Sequence, residues 1–336
     1  MKPRRITIND IAKELNISKS TVSRAIRSHS EINPETRKKI LAYIKETGYE
    51  PDALARSLKT GQTKIIGVVI PAYNIPFYSI AICGIQDYAF EQGYNIMICH
   101  SNEKMEIEKS NIKALLNSKV DGFIISVAED NSTNEHIRAL KSKGFPLVMF
   151  NRVIEDIKAS KVVVNDYYGA YDMTVHLLKG LKRKIIYFSG PSNLLLSANR
   201  KMGFLDALHK HKIDASNWEV VEGDFSSKTS YHLMKDILEK DDQVDTVFCV
   251  CDEVAFGVMK AIKDKKILIP DDIAVAGFTN EPASDLVDPS LTTVDQPIYE
   301  IGRTAAKLLF NQIENENMPA ELAVLNTKLV IRNSTR

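Results

Sequence analysis

The stretch SKSTVSRAIRS, Ser18 to Ser28, gathers five hydroxyl side chains and three cations around only three apolar residues, Val22, Ala25 and Ile26. Hydroxyls, lysines and arginines suit a wet polyanion. Phosphate oxygens accept hydrogen bonds from all of them, and an arginine fork can take a guanine edge through two bonds at once. No competing chemistry is written elsewhere. The sequence holds no G-x-G, G-x-x-x-x-G-K, H-E-x-x-H or G-x-S-x-G, so phosphate-cradling loops, a zinc protease helix and a serine nucleophile elbow are all unsupported. Seven histidines are scattered, and Cys83, Cys99, Cys249 and Cys251 have no metal or redox spacing. They read as small hydrophobes, with neither metal nor cofactor implied.

The elements that would position the cationic stretch are legible. Thr7 can cap a first helix, with Asp10 completing a capping box, and Ile8, Ile11, Ala12 and Leu15 form its apolar stripe. Asn16 and Ile17 turn the chain, and Ser18 caps a second helix that buries Val22, Ala25 and Ile26. A third helix runs from Asn33 as cap, through Pro34 at its first position, to Gly48 as terminator, and Ile40, Leu41 and Ile44 are expected to close a small core. Lys19, Ser20, Arg24 and Arg27 then stay outside. Charge agrees with this division. Residues 1–64 carry 14 Lys and Arg against 7 Asp and Glu, while the remainder carries 30 against 36. A basic head on an acidic body points to a polyanion partner for the head alone.

TINDIAKELNISKSTVSRAI resembles the headpiece of the lactose-repressor (LacI/GalR) family of bacterial transcription regulators, and the likeness continues through YEPDALARSLKTGQT to LTTVDQP and the C-terminus. The resemblance implies that Lys19, Ser20 and Arg24 read bases in the major groove, Arg24 foremost, with Thr7, Ser18, Thr21 and Ser23 at or beside the phosphates. Arg27 stands where the family usually has Asn. DALARSLKT is too short for a stable helix alone. By resemblance it is a hinge helix that forms on the operator, with Leu58 as the minor-groove wedge between Ala55 and Lys59.

From Lys64 onward, apolar strand-like runs such as KIIGVVIP, DGFIISVA, KIIYFSG and DTVFCVCD alternate with helical patterns, which means parallel sheets covered on both faces. There are too many for one sheet. The expected fold class is an all-α helix-turn-helix headpiece (1–50), a hinge and linker (51–63) and an α/β body resembling periplasmic binding proteins (64–336). The body comprises two doubly wound parallel-sheet lobes, one over 64–161 and 295–322, the other over 162–290 and 323–336. The recrossing of the chain is implied by the resemblance.

Ligands of such folds bind where strand C-termini face the crevice. Phe77, Tyr78, Asn151, Arg152, Arg200, Phe225, Asp252, Thr279 and Asn280 lie just past those ends, and Gln296 lies at a crossover. By resemblance Arg200 is the effector-binding arginine and Asp252 the acid of a ligand pair, although Asp252 is equally suited to capping the helix it begins. Cys251 and Thr279 replace common Asn and Asp, and Asn165-Asp166 inverts a usual order. The implied function is a cytoplasmic, homodimeric, non-enzymatic regulator and repressor of a near-palindromic operator, released or engaged by a small-molecule effector, with carbohydrate the default class. Two alternatives stand beside it: a regulator whose cleft is empty or reads a protein, and a cytoplasmic solute-binding protein. No 18-residue apolar run supports a membrane span.

Overall fold

The computed structural model describes residues 6–26, 32–49, 61–130, 133–241, 243–315 and 317–335. The expected DNA contacts of Arg27, Ala55, Leu58 and Lys59, and the hinge helix with them, lie outside the described residues. The chain divides into two compact units, Met1–Thr63 and Lys64–Arg336.

In the first unit, α1 (Ile8–Glu14), α2 (Lys19–Ile26) and α3 (Pro34–Thr47) enclose Ile11, Ala12, Val22, Ala25 and Ile40. The caps follow from the sequence. Thr7 Oγ1 accepts from the Asp10 amide at 3.3 Å and Asp10 Oδ2 from the Thr7 amide at 2.8 Å, so both orphan donors are satisfied. Ser18 Oγ accepts from the Thr21 amide at 3.1 Å, and Gly48 ends α3 at φ 61°. One expectation needs correcting: Leu41 is 41% exposed and does not close the core. Ile40 and Ile44 share a face at i, i+4, and Tyr43, not Leu41, completes it by packing on the cluster.

The second unit holds two lobes. The first has a six-stranded, wholly parallel sheet of β1 (Ile65–Ile70), β2 (Asn95–His100), β3 (Gly122–Ile125), β4 (Leu147–Phe150), β5 (Ser160–Val164) and β11 (Leu322–Leu325), in the order β11-β5-β4-β3-β1-β2. One face packs on α4 (Pro76–Glu91) and α11 (Ile298–Glu314), the other on α5 (Met105–Asn117) and α6 (Glu135–Ser142). Central strands buried on both faces explain runs such as IIGVVI. Where α4 and α11 cross, Gly84 and Gly302 let the backbones touch; a Cβ on Gly84 would overlap the Tyr299 carbonyl, and one on Gly302 the Ala81 carbonyl.

The second lobe is a four-stranded parallel sheet, β7-β6-β8-β9, of β6 (Lys184–Ser189), β7 (Trp218–Glu222), β8 (Val244–Cys249) and β9 (Ala274–Ala276). It is flanked by α7 (Asp166–Leu178), α8 (Leu195–Lys210), α9 (Ser227–Lys240) and α10 (Asp252–Asp264) around a core rich in aromatics, including Tyr187, Phe204, Phe248 and Phe278. β10 (Thr293–Asp295) pairs antiparallel with β12 (Lys328–Val330), and isolated bridges extend it along the β9 edge.

The lobe boundaries differ from those expected. β5, including Val162 and Val164, belongs to the first sheet, and so does all of β11. The chain therefore crosses at Asn165, at Gln296–Pro297 and at residues 326–327. The break expected after residue 161 fails because the residues of a parallel strand carry no mark of the sheet they join, whether or not their burial alternates as in β5. No helix among the described residues is long and apolar enough to cross a membrane.

Candidate functional site

Between the lobes lies a cavity of about 410 Å³. Its walls are the chain past strand ends, as the doubly wound topology dictates. The first lobe contributes Ala72 and the residues from Asn74 to Tyr78 after β1, Asn102 and Glu103 after β2, Glu129 after β3, and Asn151 and Arg152 after β4. The second contributes Leu196 and Arg200 from α8, Asp224 to Ser226 after β7, Cys251 and Glu253 after β8, and Thr279 and Glu281 after β9, with Gln296 at a crossing.

Eight of the ten expected effector residues line this space: Phe77, Tyr78, Asn151, Arg152, Arg200, Phe225, Thr279 and Gln296. Tyr78 is buried, and its hydroxyl accepts from Asn151 Nδ2 and meets Ser126 Oγ, each at 3.3 Å. Arg152 pairs with Glu103 at 2.7 Å, and its guanidinium lies 4.8 Å from the Phe225 ring centroid across the cleft. Asn193 Nδ2 also donates across the cleft, to the Glu129 carbonyl at 2.7 Å. Arg200, 3% exposed, donates from Nε to Asp166 Oδ1 at 2.7 Å and from Nη1 to the Val250 carbonyl at 2.6 Å, and lies 3.7 Å from the Phe278 ring centroid. Thr279 sits at φ 136°, where a β-branched residue is strained; Gln296 Nε2 donates to its hydroxyl at 3.2 Å.

Two expected residues are not brought to the cavity. Asp252 is fully buried, and its carboxylate accepts from the Glu281 amide at 2.8 Å, Ser284 Oγ at 2.6 Å and Thr293 Oγ1 at 2.5 Å. It ties the loop after β9 to β10 and has no oxygen left for a ligand. Asn280 is likewise engaged: its amide nitrogen donates to Asp295 Oδ1 at 2.7 Å, and its oxygen accepts from Arg332 Nη2 at 2.8 Å.

Sequence reasoning missed the carboxylates. Glu103, Glu129, Asp224, Glu253 and Glu281 all line the cavity. Each lies a few residues past a strand end, so the rule that found Arg152 would have found them. Burial, with Asp252 and Glu253 beside it, pushes the Glu281 carboxyl up to about 7. Burial, then Glu103 and Asp224, raise Glu129 against the opposing pull of Arg152. Burial also holds the Cys251 thiol up at about 12, so it lines the cavity as a neutral group. No cluster of metal-ligating side chains occurs among the described residues.

In the first unit, Thr7, Ser18, Lys19, Ser20 and Arg24 are exposed, while Thr21 and Ser23 are half-buried. Ser18 Oγ lies 2.7 Å from Ser20 Oγ and 2.8 Å from Thr21 Oγ1. The start of α2 thus offers linked hydroxyls with Lys19 beside them and Arg24 one turn on.

The sequence profile for bacterial regulatory proteins of the lacI family matches residues 7–52, and that for periplasmic binding proteins and the sugar binding domain of the LacI family matches residues 63–331. The chain is 31% identical to catabolite control protein A of Priestia megaterium, over 98% of this chain and 99% of that one. It is 30% identical to the HTH-type transcriptional repressor PurR of Mannheimia succiniciproducens, over 98% of each. The fold matches the lac repressor dimer bound to operator and the anti-inducer ONPF with a TM-score of 0.88, at 23% identity, covering 98% of this chain and 99% of that one.

Proposed function

The chain belongs to the lacI family of bacterial regulatory proteins, and from that premise we propose that it is an effector-controlled, sequence-specific repressor of transcription. The carrying observation is one chain that joins a capped helix-turn-helix with an exposed hydroxyl and cation face to a two-lobed body with a cleft. The exposed face of α2 enters the major groove, Arg24 reads a base, Lys19 and Ser20 meet base edges or phosphates, and Thr7, Ser18, Thr21 and Ser23 fix the register on the backbone. Two copies read the half-sites of a near-palindrome. A small molecule, carbohydrate in class, occupies the cleft as effector and no cofactor takes part. The protein acts in the cytoplasm and catalyses nothing.

Control follows from differential affinity. A ligand that spans both walls favours one angle between the lobes, and it shifts operator affinity by as much as it distinguishes the two angles. The Arg152–Phe225 and Asn193–Glu129 contacts are made across the cleft and break when it opens. Selection of bound duplexes from a random pool tests the reading. The intact protein should enrich a near-palindrome, and Arg24→Ala should lose about 1–3 kcal/mol of discrimination at one position per half-site while keeping salt-dependent non-specific binding. An unchanged motif and affinity in Arg24→Ala would remove Arg24 from base reading. No motif for either protein would remove the regulator.

A further inference from the structure

The cavity is lined by acceptors in excess of anything that saturates them. Among its described lining residues the cations are Arg152 and Arg200, and both are committed, to Glu103 and to Asp166. Five carboxylates share the wall. Asp224 and Glu253 have a local explanation: Asp224 accepts from the Ser226 amide and Thr229 Oγ1, and Glu253 stands in the first turn of α10, where the helix dipole favours a negative charge. Glu281 has none. The residue is 6% exposed, its amide is spent on Asp252, and its side chain lines the cavity. A second acceptor points to the same vacancy of donors. Gln296, 4% exposed, spends Nε2 on Thr279, two residues before Glu281, and leaves a buried Oε1 without a partner.

A buried amide oxygen without a donor, as at Gln296, and a carboxylate facing an enclosed cavity without a cation cost free energy that a matching ligand recovers. A neutral sugar supplies hydroxyl donors but does nothing to offset the charge that Glu281 carries once ionised. A protonated amine supplies donors and cancels the charge, and charge-assisted bonds are the stronger ones. We therefore propose that the effector is a hydroxylated amine, an amino sugar or a molecule of that class, whose ammonium group is held by Glu281 and Gln296 while its hydroxyls meet the rest of the wall. This rests on the reading of the cleft as the effector site.

The groups around Glu281 bear on its pH response. Asp252 and Glu253 on α10 both oppose its ionisation, and the Cys251 thiol at the same helix start stays neutral. Its pKa is raised in the folded state, so it lowers stability as pH climbs from the usual glutamate value toward about 7. The unliganded Glu281→Gln protein should accordingly gain in unfolding midpoint at pH 8 and gain little at pH 5, which also verifies that it folds.

The deciding experiment is calorimetry and thermal shift on the full-length dimer near neutral pH, with three matched pairs: glucosamine and glucose, galactosamine and galactose, mannosamine and mannose. At least one amine should bind about tenfold or more tighter than its neutral twin, and Glu281→Gln should erase that preference. A neutral sugar that binds as well as its amine overturns the inference and leaves the effector cleft standing. Equal amine binding by Glu281→Gln also overturns it. If no member of any pair binds, the inference falls. If, in addition, no small-molecule extract fraction changes operator affinity, the effector reading falls with it.

Discussion

An Arg200→Met protein should lose about 3–5 kcal/mol of stability in its larger unit, because the substitution strands the Asp166 carboxylate, 6% exposed, without its ion-pair partner among the described residues. Burial already raises Asp166 and Arg200 holds it down; removing Arg200 lifts it further. A carboxyl whose folded pKa exceeds its unfolded value binds more protons when folded, so stability falls as pH rises through the interval between the two. The deficit of Arg200→Met should therefore be small near pH 4 and largest at pH 8. Denaturant unfolding at both pH values measures it. Asp166→Asn in the Arg200→Met background should restore part of the loss and flatten the pH dependence. A deficit independent of pH would mean that the loss comes from packing on Phe278, not from the charge.

Asp252→Ala should be about as costly, roughly 3–5 kcal/mol, for another reason. Three donors from two segments, the Glu281 amide and Ser284 Oγ in the loop after β9 and Thr293 Oγ1 on β10, would be left in the interior with nothing to accept them. Asp252→Asn keeps an acceptor of the same shape and should cost clearly less. A loss below about 1 kcal/mol for Asp252→Ala would show that the bracket is dispensable and would reopen a ligand role for this aspartate.

The contrast between these two residues shows what the sequence could and could not say. Arg200 and Asp252 both lie past strand ends, and the same rule nominated both. Position along a strand fixes which end of the sheet a residue reaches, but not whether its side chain turns to the cavity or to a neighbouring loop. That is decided by Ser284 and Thr293, which are 32 and 41 residues away from Asp252 in the chain. The headpiece was far more legible, because its caps are local. Thr7 with Asp10, Ser18 with Thr21, and Asn33 with Glu35 each close within three residues. Leu41 escaped because helical spacing admits a neighbour on either side of a buried residue, and a core built on five residues has room for only one of them. The lobe boundary at β5 escaped because SKVVV carries no trace of the sheet it will join. The carboxylates Glu103, Glu129 and Glu281 also sit past strand ends and differ from the expected lining residues only in side-chain type.

The chain passes between the lobes three times, at Asn165, at Gln296–Pro297 and at residues 326–327, and this has a consequence for evolution. Three short links restrain sliding and twisting more than bending, so the relative placement of the lobes reduces to a single number, an angle. The lining residues can then be exchanged for others that hold different molecules while the reporting mechanism stays intact. Recognition and response are separable variables in this architecture. A cleft rich in unmatched acceptors is one setting of the first; the second does not depend on it.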